Sequence, residues 1–391
     1  MTAPATPCLH SFEFQAATRL VVGAGALARV GDIARQLGGS RALLVSDPGL
    51  VATGFPAKAE ELLASANIAC RLFQDFSENP STDHVTAGVA VAEDFQPDIL
   101  IALGGGSSMD CAKGINFVHC FGGSMHDYHG RERAGLNRGP MLPSMAVPTT
   151  AGTGSETQSF ALISDAATGA KMACGDPRAA FRVAILDVEL TLTQPERVTA
   201  LTGVDAVSHA LESYVSTAGT AASRLFARES WQLLATHLPR VLSDGEDVEA
   251  RAAVQVAAAW AGVAIENAML GGAHAMANPL TQLHGIPHGQ AVGLALPHVV
   301  RFNAAACERD YAELCQLLPD ADHATAGSAQ LAEWLVALLQ QADMATSLAD
   351  LALATADSDA LASIATKQWT GSFNPRPLTA SDFQSLYEEA R

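Results

Sequence analysis

The sequence is poor in charge and lacks the patterns that mark export or membrane insertion. Charged residues make up 16% of its 391 positions and hydrophobic residues 49%, a balance typical of a globular protein. The first 14 residues, MTAPATPCLHSFEF, have neither a basic start nor an apolar core, so they predict no secretory signal. The longest apolar stretch, residues 252–265, is rich in Ala and too short to cross a bilayer. It predicts a buried helix.

Paired cysteines and positive charge are also missing. The seven cysteines are scattered and none lies in a C-x-x-C pair, which favours free thiols and a cytoplasmic location. Lys and Arg number 23 against 41 Asp and Glu, for a net charge of −18. Because such a surplus repels polyphosphate, we expect no nucleic acid and no membrane among the partners.

What the sequence does contain is a change of pattern near residue 190. Before it, short apolar runs alternate with helical segments, which predicts a parallel sheet covered on both faces. The runs are residues 19–22, 42–47, 99–105, 144–150 and 183–187. After it, apolar residues recur at helical spacing, and Pro195 is placed well to start a helix. We expect a Rossmann-like α/β domain over residues 1–190 and an all-α domain over 191–391.

Two glycine clusters compete for a cofactor phosphate. Gly23, Gly25 and Ala28 form a G-x-G-x-x-A, and Asp47 follows at the spacing of a ribose-binding acid. A tight turn between strand and helix needs small residues in any case, so this motif is weak. The second cluster follows a strongly apolar strand and precedes a helix that we expect to begin near Cys111. It consists of Gly104, Gly105, Gly106, Ser107, Ser108 and Asp110.

Main-chain amides at a helix start can cradle a pyrophosphate, and serine hydroxyls can add donors. Asp110 beside a phosphate needs another role, such as capping the helix. A third turn, residues 146–157, supplies small hydroxyl residues after another strand, among them Thr149, Thr150 and Thr153. Together the two turns predict a site for one extended ligand.

The second half of the chain carries a pattern typical of a metal site. Asp205 and His209 are four residues apart on a helical segment, so both project from one face. His274, His284, His288 and His298 follow in a later segment. Pro287 cannot sit inside a helix joining His284 to His288, so we expect His284 in a connection and His288 at a new helix start. One carboxylate with three imidazoles suits Fe²⁺ or Zn²⁺ and leaves a position for substrate.

Five motifs in order resemble the iron-containing, or group III, alcohol dehydrogenases. They are ALGGGSSMDCAK, PTTAGTGSET, TGVDAVSHALESY, HAMANPL with IPHG, and NPRPLT. The resemblance runs from about residue 12 to the C-terminus. It implies a dehydroquinate synthase-like architecture, with a dinucleotide-binding first domain, a metal- and substrate-binding second domain, and a homodimer or larger assembly.

The resemblance also implies roles for individual residues. It makes Asp205, His209, His274 and His288 the metal ligands, and puts the cofactor phosphates on Gly104, Gly105, Gly106 and Ser107. Thr149 and Thr153 would line the nicotinamide half, and Thr150 and Asp110 belong to the same cofactor loops. Asp47 matches an acid at the adenosine ribose, which favours NAD over NADP because a 2′-phosphate would meet a carboxylate. The loop at residues 23–28 would then only shape the first turn.

Two positions depart from the family pattern: Val188, at a turn where the family usually has proline, and Asn278. Four residues after the third ligand, many members carry a second histidine assigned to proton relay, whereas this chain has Asn278. An amide can hydrogen-bond but cannot titrate near neutrality. Either the proton leaves by another route, such as His284 or the ribose hydroxyls, or the substrate is not a simple alcohol.

We therefore expect a metal-dependent, NAD-linked dehydrogenase that moves hydride between nicotinamide and a small alcohol or aldehyde. Fe²⁺ is the expected metal, with Zn²⁺ possible. A metal-independent enzyme like the maleylacetate reductases and a related sugar-phosphate cyclase are alternatives. Both would call for basic residues at the site, and residues 260–300 contain no Lys or Arg. An inactive relative is a third alternative, although no metal ligand and no motif glycine is missing.

Overall fold

A computed structural model of the chain describes residues 11–130, 139–319, 321 and 324–391. These residues divide into two compact units. One is Ala16–Gln194, and the other is Pro195–Arg391 together with residues 11–15. The first ten residues of the predicted α/β domain, with Cys8, lie outside the described part. The other six cysteines are free, as predicted.

The first unit is built on a parallel sheet. Its strands are β1 (Arg19–Val22), β2 (Arg41–Val45), β3 (Ala69–Phe73), β4 (Ile99–Gly104), β5 (Ser144–Pro148), β6 (Phe160–Ser164), β7 (Lys171–Gly175) and β8 (Val183–Leu186). Six of them pair in parallel in the order β1-β8-β5-β4-β2-β3, and β6 and β7 form a separate antiparallel hairpin. Both β3 and β4 are therefore neighbours of β2, one on each side of it.

All five apolar runs of the sequence form strands of this sheet, which confirms those predictions. Every residue of β4, β5 and β8 is buried, as expected where helices cover both faces. Three strands were not predicted. The strand β3 lies at the sheet edge with an alternating pattern of exposure, and β6 and β7 are short segments outside the main sheet.

The helices of this unit pack on the sheet through apolar side chains. They are α1 (Val30–Gln36), α2 (Pro48–Val51), α3 (Phe55–Ser65), α4 (Thr82–Phe95) and α5 (Gly106–Phe121). Ile33 and Leu63 share one buried cluster with Leu44 and Ile101 of the central strands. The helix α5 begins at Gly106, not near Cys111 as predicted, because the glycine and serine residues of the loop themselves form its first turn.

The second unit is helical. Its helices are α6 (Glu196–Val215), α7 (Ala221–Ser243), α8 (Val248–Ala268), α9 (Gly272–His284), α10 (His288–Cys315), α11 (Ser328–Gln341), α12 (Ser358–Ala365) and α13 (Ala380–Glu389). The helix α6 packs against α7, α8 and α10, and α9 packs against α10 and α12. Pro195 is the N-cap residue of α6, as its position in the sequence predicts.

One described helix, α8, is long and apolar enough to span a membrane by length and composition. It is also packed against α6 and α7 within the helical unit, and most of it is buried. Ala257, Ala258 and Ala261 have no exposed surface. The prediction of a buried helix over residues 252–265 is confirmed.

Candidate metal centre and cofactor edge

Three helices supply the candidate metal ligands. Asp205 and His209 lie one turn apart on α6, and His274 lies in the first turn of α9. His288 is the first residue of α10, with Pro287 as its N-cap, as the proline position predicted. His284 is the last residue of α9 and not part of a connection, because the helix continues through Pro279 up to Gly285.

The structure brings these four side chains together. The Nε2 atoms of the three histidines lie 3.4, 3.6 and 3.7 Å from Oδ1 of Asp205, in the order His209, His274, His288. These separations are too long for good hydrogen bonds. They match the edge of a tetrahedron of about 3.4 Å, which follows from ligand–metal distances near 2.1 Å. Asp205, His209 and His274 place one donor atom each within 4.8 Å of one another, as ligands of one ion would, and Nε2 of His288 lies close to the Asp205 oxygen.

Two of the converging atoms have no hydrogen-bond partner among the described residues. Within the described residues, Oδ1 of Asp205 and Nε2 of His274 are buried and accept or donate no hydrogen bond. An unpaired buried polar group costs roughly 1–3 kcal/mol. A divalent cation bound between these atoms would remove that cost. The donor set of one carboxylate and three imidazoles therefore fits Fe²⁺ or Zn²⁺.

Local electrostatics prepare the carboxylate for a cation. Burial of Asp205 opposes its ionisation, but His209, His274 and His288 outweigh burial and hold its pKa below the ordinary range. Burial also opposes protonation of His274, yet the carboxylates of Glu212 and Asp205 raise its pKa to about 9. Asp205 is thus held as the anion that metal binding requires.

Glu212, a buried residue of α6 at this centre, was not among the predicted site residues. Its Oε2 lies 2.5 Å from Nδ1 of His274, and its Oε1 accepts a hydrogen bond of 2.6 Å from the amide of Ala273. The spacing could have pointed to it. Glu212 follows His209 by three residues and Asp205 by seven, so all three share one face of the helix.

The two candidate catalytic residues have different surroundings. Asn278 lies one turn after His274 on α9 and is partly buried. Its Nδ2 donates a 2.8 Å hydrogen bond to Oε1 of Gln368, a partner that the sequence did not indicate. His284 is exposed at the end of α9. The structure brings Asn278 near the candidate ligand His274 along the helix, whereas His284 lies ten residues, almost three turns, beyond His274.

The candidate cofactor residues meet at the carboxyl edge of the sheet. Asp47 follows β2, Gly104 ends β4 and Thr149 follows β5, and these strands are neighbours. The Thr149 amide donates to the Gly104 carbonyl at 3.0 Å. The hydroxyl of Ser108 donates to Oδ2 of Asp47 at 3.3 Å. The strand order reverses between β2 and β4, and dinucleotides bind at such reversals.

Glycine is required in the second cluster because the chain segments approach closely. Gly104 has φ +149°, and a Cβ there would lie 2.2 Å from Oγ of Ser108. A Cβ on Gly106 would lie 2.9 Å from the Thr153 methyl, and one on Gly105 would lie 3.3 Å from that of Thr150. Gly105 is the N-cap of α5 and offers no side-chain cap. The helix therefore starts with main-chain amides directed at the sheet edge, the arrangement that binds anions.

Asp110 points to the neighbouring loop. It accepts a 2.8 Å hydrogen bond from Oγ of Ser155, and Lys113 donates to the carbonyls of Ser155 and Phe160 at 2.7 and 2.8 Å. Burial raises the pKa of Asp110, against the opposing effects of Lys113 and Ser155. These contacts tie α5 to the turn at residues 146–157.

The amides of the first glycine cluster are engaged within the protein. Those of Gly25 and Leu27 donate to the carboxylate of Asp187 at 3.0 and 2.9 Å. Those of Gly23, Ala26 and Ala28 donate to main-chain carbonyls. Because Asp187 occupies the position that an anion would take and five of the six amides of residues 23–28 are bonded within the protein, this loop shapes the turn after β1.

Known protein families match this chain over most of its length. Residues 17–188 match the family model described as iron-containing alcohol dehydrogenase, and residues 199–391 match that of the C-terminal part of the Fe-containing alcohol dehydrogenase family. An NAD-dependent methanol dehydrogenase of Bacillus methanolicus is 34% identical, over 95% of this chain and 97% of its own.

Solved structures show the same fold. A 1,3-propanediol oxidoreductase superposes with a TM-score of 0.92 at 31% identity, covering 98% of this chain and 100% of its own. A sulfoacetaldehyde reductase of Bifidobacterium kashiwanohense, solved in complex with NAD⁺, has a TM-score of 0.88 at 28% identity and covers 97% and 99%. The fold is that of an α/β parallel-sheet unit followed by a helical unit, in the dehydroquinate synthase-like architecture. The chain belongs to the iron-containing alcohol dehydrogenase family, whose members are oxidoreductases that act on CH–OH groups.

Proposed function

We propose that this protein is a metal-dependent, NAD-linked alcohol dehydrogenase or aldehyde reductase. It transfers hydride between the nicotinamide and a small alcohol or aldehyde. One observation carries the proposal: three imidazole Nε2 atoms converge on Oδ1 of Asp205, and two of the converging atoms are buried with no hydrogen bond to any described residue. The similarity to an NAD-dependent methanol dehydrogenase and to a reductase solved with NAD⁺ supports it.

The metal ligands of this proposal are Asp205, His209, His274 and His288. Fe²⁺ is the proposed ion, and Zn²⁺ accepts the same ligands. When bound, the ion supplies the Lewis acidity that lowers the pKa of an alcohol hydroxyl or polarises an aldehyde carbonyl. The protein's part is to hold the four donors in place before the ion arrives. The spacing of the donors and the burial of Asp205, His209 and His274 support that part.

The proposed cofactor is NAD rather than NADP. The amides of Gly104, Gly105, Gly106 and Ser107 would bind the phosphates at the start of α5, and Thr149, Thr150 and Thr153 would line the nicotinamide half. Asp47, at the end of β2, would accept hydrogen bonds from the adenosine ribose, and its charge would repel a 2′-phosphate. Asp110 contributes by fixing the loop that carries Thr153, through Ser155.

The proton of the reaction takes a route that does not depend on titration at residue 278. The amide of Asn278 is held by Gln368 and can orient a substrate oxygen by hydrogen bonding. We assign proton exchange with solvent to His284, which is exposed, or to the ribose hydroxyls. This assignment accounts for an amide where many family members have an imidazole.

We also infer the setting in which the enzyme works. The cofactor domain comprises residues 1–190 and the metal and substrate domain residues 191–391. The free cysteines and the acidic composition support a cytoplasmic enzyme without nucleic-acid or membrane partners. Its resemblance to the family supports a homodimer or larger homo-oligomer.

The test of this function is metal content measured together with activity. Protein purified without chelator and without oxygen should contain about one Fe or Zn per chain. It should oxidise NADH with small aldehydes, lose that activity when the metal is stripped, and regain it when the metal is restored. Metal-free protein with full reductase activity would contradict the proposal and favour a metal-independent reductase of the maleylacetate type.

A further inference from the structure

We propose that Glu212 is a positioning residue of the metal centre. Its carboxylate holds the ring of His274 so that Nε2 presents a lone pair to the metal position. The inference rests on the proposed function, because it assigns a role toward the metal that Asp205, His209, His274 and His288 would bind.

The two carboxylate oxygens of Glu212 have separate hydrogen-bond partners. Oε2 accepts from Nδ1 of His274 at 2.5 Å, and Oε1 accepts from the Ala273 amide at 2.6 Å. The side chain of Glu212 is only 3% exposed. An ionised carboxylate can only accept, so Nδ1 of His274 keeps a hydrogen, and the lone pair of the neutral ring, the form that binds a metal, lies on Nε2. A histidine held in this way offers Nε2 to a metal and becomes a stronger ligand.

The start of α9 is shaped around this carboxylate. Gly271 is its N-cap and has no side chain to satisfy the first amides. Two distant residues satisfy them instead: Glu212 accepts from Ala273, and Oδ1 of Asn374 accepts from Gly272 at 3.1 Å. A Cβ on Gly271 would lie 2.9 Å from Oε1 of Glu212. Glycine at this position therefore allows the carboxylate to reach the main chain.

A single helix connects this support to the ligands. Asp205, His209 and Glu212 occupy one face of α6. Two of them are candidate metal ligands and the third contacts a ligand on α9. Glu212 thus fixes both the start of α9 and the ring of His274 relative to α6. Capping of α9 would need only the contact of Glu212 with the Ala273 amide, so the second contact, with Nδ1 of His274, indicates the positioning role.

The experiment compares Glu212→Gln with Asn374→Ala. Glutamine has the same shape but only one oxygen. It can accept from Ala273 only by turning its NH₂ group toward Nδ1, which drives the ring hydrogen to Nε2, the atom that would face the metal. Asn374→Ala removes the other cap of the same helix start and leaves His274 untouched. Apo-protein of each variant and of the wild type is titrated with Co²⁺, following its visible absorption, and with Zn²⁺ against a chromogenic chelator. The thermal midpoint of each apo-protein is recorded alongside.

We expect Glu212→Gln to weaken Co²⁺ and Zn²⁺ binding about 10- to 100-fold, the usual effect of losing a ligand's hydrogen-bond partner. Asn374→Ala should lower the apo thermal midpoint while keeping metal affinity within about twofold of wild type. Equal metal affinity in Glu212→Gln and wild type would overturn the inference and leave the proposed function standing. Equal losses in the two variants would also overturn it, because capping would then explain the effect. Wild-type protein that binds neither ion would overturn both this inference and the metal-dependent function.

Discussion

The two units of this protein prepare their ligand sites in opposite ways. In the helical unit the prepared atoms belong to side chains, and Oδ1 of Asp205 and Nε2 of His274 are buried without a hydrogen-bond partner in the described part of the chain. In the α/β unit they are main-chain amides at the start of α5, which has no side-chain cap and where Gly104, Gly105 and Gly106 let neighbouring segments approach closely. The difference shows that a site for a small cation is recognised by converging side-chain atoms, whereas a site for a long anion is recognised by main-chain amides at a helix start.

Two buried carboxyl groups make the same comparison in electrostatic terms. Burial opposes the ionisation of both. At Asp205 three imidazoles outweigh it and the pKa falls below the ordinary range. At Glu156, in the α/β unit, burial dominates over its own amide and Lys113, and the pKa rises to about 7. Neighbours, and not burial alone, therefore decide which buried acid is charged and can bind a cation.

The largest effect is expected from removing the charge of Asp205. Asp205→Asn keeps the shape but leaves the three histidines without their anionic ligand. We expect metal affinity to fall more than about a hundredfold, since loss of an outer hydrogen-bond partner alone costs 10–100-fold. Metal per chain after dialysis against limiting Zn²⁺ measures it.

The matched control is His298→Asn. His298 lies on α10, and burial and Arg301 lower its pKa to about 4. This variant should bind metal as the wild type does. Normal metal content in Asp205→Asn, or a loss in His298→Asn, would mean that the ligand set is misassigned.

Glu156, the buried acid of the α/β unit, should make the stability of the fold depend on pH. The pKa of Glu156 is raised in the folded state from 4.5 to about 7, so the folded state binds the proton more tightly than the unfolded state. Its stabilising effect is complete below pH 4.5 and is lost as the pH rises toward 7, by about 3 kcal/mol.

Glu156→Gln should remove this dependence. The unfolding free energy of wild type relative to the variant, from urea titrations across this pH window, should fall as the pH rises. If the difference in unfolding free energy between wild type and variant stays constant with pH, the pKa of Glu156 is not raised in the folded state.

Much of this comparison could be predicted from the sequence, because both sites have strong local signals. Continuous apolar runs predict β4 and β5 since both faces of these strands are buried. Helical spacing places Asp205 and His209 on one face of α6. The edge strand β3 has no such signal, because its exposure alternates.

Contacts between distant segments could not be predicted. Glu212 reaches His274 across 62 positions, and Asp187 reaches the amides of the first glycine cluster across about 160. Both clusters look similar as sequence, and only the fold shows that a carboxylate already fills the first. Residue types and local spacing thus indicate which chemistry is available, while tertiary packing decides which donors remain open.

The two glycine clusters can be compared directly with matched alanine variants. Gly106→Ala places a Cβ 2.9 Å from the Thr153 methyl, so the loop must shift, and we expect NADH to bind about tenfold more weakly. Gly25→Ala meets no atom within 4 Å but strains a residue at φ +70°, which costs about 1–2 kcal/mol of stability.

Fluorescence titration with NADH and thermal unfolding measure the two effects separately. Gly25→Ala should bind NADH normally, and Gly106→Ala should keep its metal content. Weaker NADH binding in Gly25→Ala with normal binding in Gly106→Ala would reverse the assignment of the two loops.

The smallest effect is expected at Asp47, because charge at a partly exposed carboxylate is screened by water and salt. Asn also serves well as a helix cap, so Asp47→Asn should preserve the hydrogen bond from Leu50 that starts α2. Without the negative charge, a 2′-phosphate is repelled less, and we expect the ratio of kcat/KM for NADH over NADPH to fall about three- to tenfold.

The control is Asp98→Asn. Asp98 lies immediately before β4, at the opposite end of the strands from Asp47, and its carboxylate accepts hydrogen bonds from the amides of Ser40 and Arg41. Equal selectivity in Asp47→Asn and wild type would remove Asp47 from the ribose site, whereas an equal fall in both variants would assign selectivity to overall charge instead of to the carboxyl edge of β2.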